Sequence, residues 1–211
     1  RVIVRDNLAP AISCPANILV NAAVGQCSSN VTFIVTATDN CGTVTNIVSV
    51  PASGSAFPVG VTTVTNTATD SSGNRTVCTF TVTVRDTQLP TITCPADVTV
   101  NVNAGLCVAT GVALGSPTTG DNCGAVTVTN NAPAQFPVGT NLVTWTATDV
   151  NGNSATCLQR VIVRDNLAPA ISCPANILVN AAAGQCASNV TFIVTATDNC
   201  GTVTNIVSVP A

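Results

Sequence analysis

Hydrophobic and polar residues alternate along most of this 211-residue chain. The alternation is clearest at 61–68 and 77–84, where threonine stands at every second position, at 63, 65 and 67 and again at 79, 81 and 83. A period of two is typical of β-strands that bury one face. Shorter segments at 17–21, 31–36 and 44–50 are rich in β-branched residues and are predicted to be strands for the same reason.

Turn-forming residues separate these strands, and no segment shows the 3.6-residue period of an amphipathic helix. Several short strands without a helix, within about 80 residues, predict an all-β fold of antiparallel β-sandwich type. The expected core consists of apolar residues on one strand face together with the few aromatic residues. These are Ile18, Val20, Val31, Phe33, Val35, Phe57, Val64, Phe80, Val82, Phe136 and Trp145.

The pattern also repeats. Residues 1–52 recur as 160–211 with two differences, at Val24 (Ala183) and Ser28 (Ala187), and Cys-Pro dipeptides recur at intervals of 80 and 79 residues. A fixed period predicts an array of folded modules. We expect residues 1–5 to be the last strand of a preceding module, 6–85 to be module A, 86–164 to be module B, and 165–211 to be the first part of a second copy of module A.

Because neither end coincides with a module boundary, we interpret the chain as a window from a longer array of alternating modules. The alternative is a subunit that completes its broken module with a strand from a neighbouring copy. The short stretch at 1–5 is too small to replace all that would follow position 211, which favours the first interpretation.

Composition excludes several classes of function. Only 7% of the residues are charged, the net charge is −3 and there is no histidine, lysine, glutamate or tyrosine. A nucleic-acid binder or a polybasic membrane-surface protein would need a basic patch. General acid–base catalysis would have to rely on aspartate or on thiols, so we expect no enzymatic activity. No apolar stretch approaches the length of a membrane-spanning helix.

Eleven cysteines are distributed as four in each complete module and three in the partial copy, Cys173 included. The fourth cysteine of that copy would fall near position 237. Many cysteines without histidine indicate disulfides and an oxidising, extracellular environment. Structural zinc sites use closely spaced cysteine pairs, whereas the closest two cysteines here are 13 residues apart, which disfavours zinc.

The ordered motifs of each module resemble the HYR domain, or hyalin repeat, an immunoglobulin-like module of extracellular proteins. In module A they are Asp6–Pro10, Ile12–Pro15, Ala37–Gly42, Phe57–Gly60, Ala68–Asn74 and Cys78–Val84. In module B they are Leu89-Pro90, Ile92–Pro95, Asp121–Gly124, Phe136–Gly139, Ala147–Asn153 and Cys157. Leu158-Gln159-Arg160 departs from the pattern at a core position. The resemblance implies roles in adhesion, surface arrays and matrix, without catalysis.

The resemblance also implies a disulfide pairing. In such a sandwich the first and last strands run parallel, and Cys14 and Cys78 begin them, which implies Cys14–Cys78 and, in module B, Cys94–Cys157. The remaining cysteines are then expected to pair within modules, as Cys27–Cys41, Cys107–Cys123 and Cys186–Cys200. These three pairs require a bulge after the first cysteine or a late start of the second strand, since a plain strand would hold the two cysteines too far apart.

The same fold gathers aspartates at one pole of each module. They are Asp6, Asp39 and Asp70 in module A and Asp86, Asp121 and Asp149 in module B, with Asn7, Asn40 and Asn74 beside the first set. Carboxylate and amide oxygens are the ligands of calcium, so each set is a candidate calcium site. The alternative is that these residues only form Asx turns. Three sequons, at Asn30, Asn74 and Asn189, permit glycosylation.

Near-copied modules with short proline-containing linkers favour an elongated, stiff rod that serves as an extracellular or cell-surface fibre, filament or stalk. The low charge suggests that chains self-associate or lie against neighbouring copies. The alternative is the repeat region of an adhesin that binds glycan or another cell surface. A third possibility, ice binding by threonine-rich faces, would need a regular solenoid, and proline and glycine interrupt each module too often for one.

Overall fold

The computed structural model describes residues 1–209, and within them the secondary structure is entirely β. Module A contains β1 (Ala11–Ser13), β2 (Ile18–Asn21), β3 (Ser28–Asn30), β4 (Thr36–Thr38), β5 (Val44–Val50), β6 (Ala56–Pro58), β7 (Gly60–Asp70) and β8 (Arg75–Arg85). Module B contains β9 (Thr91–Thr93), β10 (Val98–Asn101), β11 (Val108–Thr110), β12 (Thr118–Gly120), β13 (Val126–Asn130), β14 (Gln135–Pro137), β15 (Gly139–Asp149) and β16 (Ser154–Arg164). The partial copy contains β17 (Ala170–Ser172) and β18 (Thr195–Thr197).

The main sheet of module A has the strand order β2-β8-β7-β5. The long strands β7 and β8 form an antiparallel hairpin, as the period of two predicts, and β5 pairs antiparallel with β7. Strand β2 pairs parallel with β8, with Ile18 opposite Val82 and Asn21 opposite Arg85. The strand of this sheet that comes first along the chain, β2, therefore lies beside the one that comes last, β8.

Two short antiparallel ribbons, β1–β4 and β3–β6, complete the module and enclose its core. The buried cluster consists of Val31, Phe57, Val64, Phe80, Val82 and Val84. Phe33 packs edge-on against Phe80, with ring centroids 4.9 Å apart. The expected β-sandwich and most of its expected core are confirmed, although Ile18, Val20, Phe33 and Val35 are only half-buried and Val84 was not among the expected residues.

The predicted strand at 31–36 is wrong, because only Thr36 belongs to a strand, β4. The backbone before it is bonded to a turn instead of to a neighbouring strand. Val31 donates its N–H to the carbonyl of Ser55 at 3.2 Å. The Phe33 N–H donates to the hydroxyl of Ser53 at 2.8 Å, and this hydroxyl also donates to the Phe33 carbonyl. A serine hydroxyl thus takes the place of a regular β-ladder.

Module B repeats this arrangement, with the sheet order β10-β16-β15-β13 and the ribbons β9–β12 and β11–β14. Its core differs at the position where the sequence departs from the family pattern. Gln159 occupies the place of Phe80 and is fully buried. Its amide donates to the carbonyls of Ala96 at 2.7 Å and Leu114 at 2.8 Å, so this polar core residue has its hydrogen bonds satisfied.

Within its described residues, 165–209, the partial copy forms one ribbon, β17–β18, in the register of β1–β4. Residues 177–180 have the sequence of β2 but form no strand. Residues 1–5 have the sequence of 160–164 in β16 but are exposed and form no strand.

The described residues form two compact units, and the boundaries of these units differ from those of the sequence modules. Unit 1 comprises Arg1–Ile92, Thr119–Val128 and Thr146–Ala155. Unit 2 comprises Thr93–Thr118, Thr129–Trp145 and the described residues from Thr156 onward. Within residues 1–209 there is no helix long and apolar enough to cross a membrane.

Candidate functional site

A disulfide links the first and last regions of each complete module. Cys14 bonds to Cys78 with a Cα–Cα distance of 6.1 Å, and Cys94 bonds to Cys157 at 5.7 Å. Each cysteine lies four residues before a paired residue of the parallel ladder, Ile18 opposite Val82 in module A. Parallel strands advance together, so equal offsets keep the two cysteines within bonding reach. The expected pairs Cys14–Cys78 and Cys94–Cys157 are confirmed.

The other expected pairs are wrong. Cys107 bonds to Cys200 of the partial copy, with a Cα–Cα distance of 4.8 Å, and this excludes Cys107–Cys123 and Cys186–Cys200. Cys27, Cys41, Cys123 and Cys186 are thiols, as is Cys173.

The reason is geometric. Cys27 immediately precedes β3 and Cys41 follows β4, so they stand at opposite ends of an extended segment. Fully extended, the 14 residues from Cys27 to Cys41 would span on the order of 45 Å, whereas a disulfide needs Cα atoms about 4.4–6.8 Å apart. No single module contains a signal for the observed pairing. The observed bond joins the second cysteine of one repeat to the third cysteine of the next, so it can be recognised only when two successive repeats are considered together.

The structure brings together the three aspartates predicted in module A. Asp6 precedes β1, Asp39 follows β4 and Asp70 ends β7, and one carboxylate oxygen of each lies within 4.8 Å of the others. One oxygen of each residue also caps a local turn. Asp39 accepts from the Cys41 N–H at 3.0 Å, and Asp70 accepts from the Ser72 N–H at 2.8 Å. The second oxygens of Asp6 and Asp39 are buried without a hydrogen-bond partner among the described residues.

The set in module B is built in the same way. Asp86, Asp121 and Asp149 also place carboxylate oxygens within 4.8 Å of one another, and all three belong to unit 1. Asp121 accepts from the Cys123 N–H at 2.7 Å through one oxygen, while its other oxygen is buried and has no partner within residues 1–209. The side chain of Asn151 donates to Asp86 at 2.9 Å. Asn151 stands where module A has Ser72, so the two sets differ in one polar ligand.

Hydrogen bonding keeps the most buried carboxylate of each set ionised. Burial raises the pKa of Asp70, but N–H groups of Asn74, Ser72 and Gly73 outweigh burial, and the pKa lies below its ordinary value of 3.8. The same balance, with Asn153 as the main donor, lowers the pKa of Asp149. Oxygens that are clustered, buried and unpartnered are the donor set that a hard cation such as calcium takes. For Asp6, Asp39 and Asp121, turn formation and cation binding are compatible, because one oxygen accepts the turn N–H and the other has no partner among the described residues.

The three sequons differ in their surroundings. Asn30 and Asn189 are exposed. The amide nitrogen of Asn74 instead donates to the carbonyl of Leu8 at 3.0 Å, to that of Asp6 at 3.3 Å and to the carboxylate of Asp70 at 2.8 Å. A glycan is attached through this nitrogen, so glycosylation of Asn74 would remove bonds that hold the aspartate turn.

Comparison with known sequences identifies the family. The profile of the HYR domain matches residues 5–84 and 85–163. The chain belongs to the HYR domain family. The two matched stretches coincide with module A and module B to within one residue at each end, and the resemblance noted in their motifs is confirmed.

Several extracellular proteins contain similar stretches. The chain is 35% identical to hyalin of Strongylocentrotus purpuratus over 212 aligned positions, which cover 95% of this chain and 18% of hyalin. It is 37% identical to the sushi, von Willebrand factor type A, EGF and pentraxin domain-containing protein 1 of Rattus norvegicus over 76% of this chain and 5% of that protein. The chain thus spans less than a fifth of the length of either relative.

Among solved structures, the chain is similar to protocadherin gamma C5 EC1-3, with a TM-score of 0.38 and 16% identity over 74% of this chain and 68% of that one. The HYR relatives and the disulfides of both complete modules agree on an extracellular or cell-surface location.

Proposed function

We propose that this HYR chain is a structural, non-catalytic segment of an extracellular fibre, filament or cell-surface stalk that carries mechanical load. The main support is the position of the Cys14–Cys78 and Cys94–Cys157 disulfides. Each closes nearly the whole module, with a sequence separation of 64 or 63 residues. A load applied along the chain enters each module close to its disulfide.

This position limits how far a loaded module can extend. An unfolded segment of 64 residues would lengthen to about 220 Å at roughly 3.5 Å per residue. The Cys14–Cys78 bond removes that segment from the path of the force, because tension passes directly from one cysteine to the other. A protein whose task is to hold its length under tension benefits from such a bond, whereas a ligand-binding module does not require it.

The proposal is tested by pulling single molecules of the chain by its ends. We expect the oxidised chain to extend little when a module yields, and the reduced chain to lengthen by about 200 Å for each complete module. The variant Cys14→Ser, Cys78→Ser, with Cys27→Ser added so that this cysteine cannot form another bond across module A, should restore the long extension in module A alone, with module B as an internal control. Equal extensions of the oxidised and reduced chains would contradict a load-limiting role.

Lateral association is the second part of the proposal. Only 7% of the chain is charged, and apolar side chains such as Leu19, Val61 and Val77 are more than half exposed. Exposed apolar surface favours contact with neighbouring copies. We expect sedimentation velocity to show assembly that grows with protein concentration. A chain that stays monomeric but is retained on immobilised glycan would instead favour the repeat region of an adhesin.

The aspartate sets fit this function as calcium sites. We propose that Asp6, Asp39 and Asp70, and likewise Asp86, Asp121 and Asp149, bind calcium through their clustered oxygens. Each set draws its members from separate stretches of sequence, so a bound ion would fasten those stretches to one another.

A further inference from the structure

The thiols of Cys27 and Cys123 lie in the same setting as the bonded pair Cys107 and Cys200. Cys27 corresponds to Cys107 as the second cysteine of a module, and Cys123 corresponds to Cys200 as the third. Both members of the first pair belong to unit 1 and both members of the second pair to unit 2. The chain therefore contains two independent examples of one arrangement, one bonded and one reduced.

The hydrogen bonds around the bonded pair define the arrangement. Asn199 donates from its amide nitrogen to the carbonyl of Leu106 at 2.7 Å and to the Cys200 sulfur at 3.1 Å. The Cys200 N–H donates to Asp198 at 2.8 Å, and the Cys200 sulfur lies 3.9 Å from the Leu106 carbonyl oxygen. The turn that carries the third cysteine is thereby docked on the residue before the second.

Every one of these contacts recurs around the thiols. Asn122 donates to the carbonyl of Gln26 at 3.0 Å and to the Cys123 sulfur at 3.0 Å. The Cys123 N–H donates to Asp121 at 2.7 Å, and the Cys123 sulfur lies 3.7 Å from the Gln26 carbonyl oxygen. Burial and the neighbouring Cys27 side chain raise the pKa of Cys123 to about 12.

In unit 1, Gln88 also forms hydrogen bonds with the loop that precedes Cys27. Its amide oxygen accepts from the Gly25 N–H, and its nitrogen donates to the carbonyl of Ala23 at 3.1 Å and to that of Gln26 at 3.5 Å. The loop that precedes Cys27 is thus held from two sides, by Gln88 and by Asn122. Bond formation requires little further movement of a loop that is already held in this way.

We propose that Cys27 and Cys123 form a disulfide in the mature protein, in the register of Cys107–Cys200. The second cysteine of each HYR module is then bonded to the third cysteine of the next. The reaction is thiol–disulfide exchange with an external disulfide such as oxidised glutathione. The Cys27 thiolate attacks that disulfide and releases one thiol, and the Cys123 thiolate then attacks the Cys27 sulfur and releases the second. Two thiols lose two protons and two electrons, and one external disulfide becomes two thiols.

Peptide mapping without reduction tests this pairing. A protease that cuts on the amino side of aspartate releases residues 6–38, 39–69, 70–85 and 121–148 as separate peptides, which contain Cys14 with Cys27, Cys41, Cys78 and Cys123 respectively. We expect peptides 6–38, 70–85 and 121–148 to remain joined in one species. A species that joins 6–38, 70–85 and 39–69 would instead show Cys27–Cys41 and would overturn the proposal.

Thiol labelling of the folded, oxidised chain supplies the second measurement. We expect neither Cys27 nor Cys123 to react with iodoacetamide. The variant Cys27→Ser should make Cys123 reactive, and Cys123→Ser should make Cys27 reactive. The matched control Cys41→Ser, which changes the same turn position in module A, should expose neither. Full labelling of both residues in the unmutated chain after exposure to oxidised glutathione would also overturn the proposal.

Discussion

Trp145 donates its indole N–H to the side-chain oxygen of Gln159 at 3.0 Å, inside the core of module B. In module A the same two positions are Asn66 and Phe80. Each module therefore places one large aromatic and one amide side chain on adjacent strands, but with their positions exchanged. Gln159 is fully buried, yet it satisfies three polar groups, because it also donates to two backbone carbonyls.

Replacing Gln159 with alanine should destabilise module B strongly. The substitution leaves the Trp145 N–H and the carbonyls of Ala96 and Leu114 without partners in a buried site. We expect the free energy of unfolding to fall by about 3 kcal/mol. Trp145 is the one tryptophan in the chain, so its fluorescence during urea unfolding reports on this core.

The neighbouring variant Leu158→Ala serves as the control, because Leu158 is 60% exposed. It should change the free energy of unfolding by less than about 0.5 kcal/mol. The double variant Trp145→Asn, Gln159→Phe, which copies module A, should lose less than the sum of the two single variants when unfolding is followed by circular dichroism. Additive losses would show that the two residues do not act as a pair.

Acid should destabilise the chain through Asp70 and Asp149. Their pKa values lie below the ordinary 3.8 in the folded state, so their contribution is fully present above about pH 4 and is lost as pH falls through the lowered pKa. Urea unfolding in calcium-free buffer should show this loss. Asp149→Asn should make the decrease in the free energy of unfolding at low pH less steep. Asp165→Asn, at an exposed position, should leave that decrease unchanged.

Calcium should raise the melting temperature if the aspartate sets bind it. Extracellular calcium modules commonly have dissociation constants of about 0.1–1 mM. At roughly 10 mM calcium, binding of that strength adds about 1.4–2.7 kcal/mol, or several degrees in the melting temperature of a domain this size. Differential scanning calorimetry with and without a chelator measures the shift.

Asp39→Asn and Asp121→Asn separate cation binding from turn formation. An asparagine keeps the oxygen that accepts the turn N–H, from Cys41 or from Cys123. It removes the charge of the oxygen that lacks a partner. Each variant should therefore be at least as stable as the parent in chelator and should respond less to calcium. Should the parent show no calcium response at all, the clusters are turns only.

Glycans should occupy Asn30 and not Asn74 when the chain is secreted from a glycosylating host. The Asn74 nitrogen is engaged in the turn that caps Asp70, whereas Asn30 is exposed at the end of β3. Intact mass spectrometry should lose one glycan in Asn30→Gln and none in Asn74→Gln. Occupancy of Asn74 would mean that the glycan is attached before the turn forms.

The sequence predicted the sandwich, the long strands β7 and β8, two of the disulfides and the composition of both aspartate sets. These features depend on local periodicity and on parallel pairing of strands within one module. The strand at 31–36 was mispredicted because its alternating pattern is real, while the hydroxyl of Ser53 takes the hydrogen bonds of a partner strand. Periodicity shows which face is buried but not what the backbone bonds to.

The pairing of Cys107 with Cys200 could not be predicted from one module. Their separation of 93 residues exceeds a whole repeat, so any rule that pairs cysteines within a module misses it. The partial copy shows the same dependence on context at the level of strands. Residues 18–21 form β2, whereas residues 177–180, with the same sequence, form no strand.

Synthesis of this chain follows from the parallel pairing of β2 with β8. Strand β2 cannot find its place until β8 has been translated, 64 residues later by the register of Ile18 with Val82. A ribosome adding about 5–20 residues per second needs on the order of 3–13 s for that stretch. Throughout this interval Cys14 has no native partner available, and Cys27 must wait longer still, until the following module emerges. Each newly translated repeat therefore reaches the secretory oxidases with its cysteines still reduced. The order in which the cysteines are translated decides which disulfide can form first.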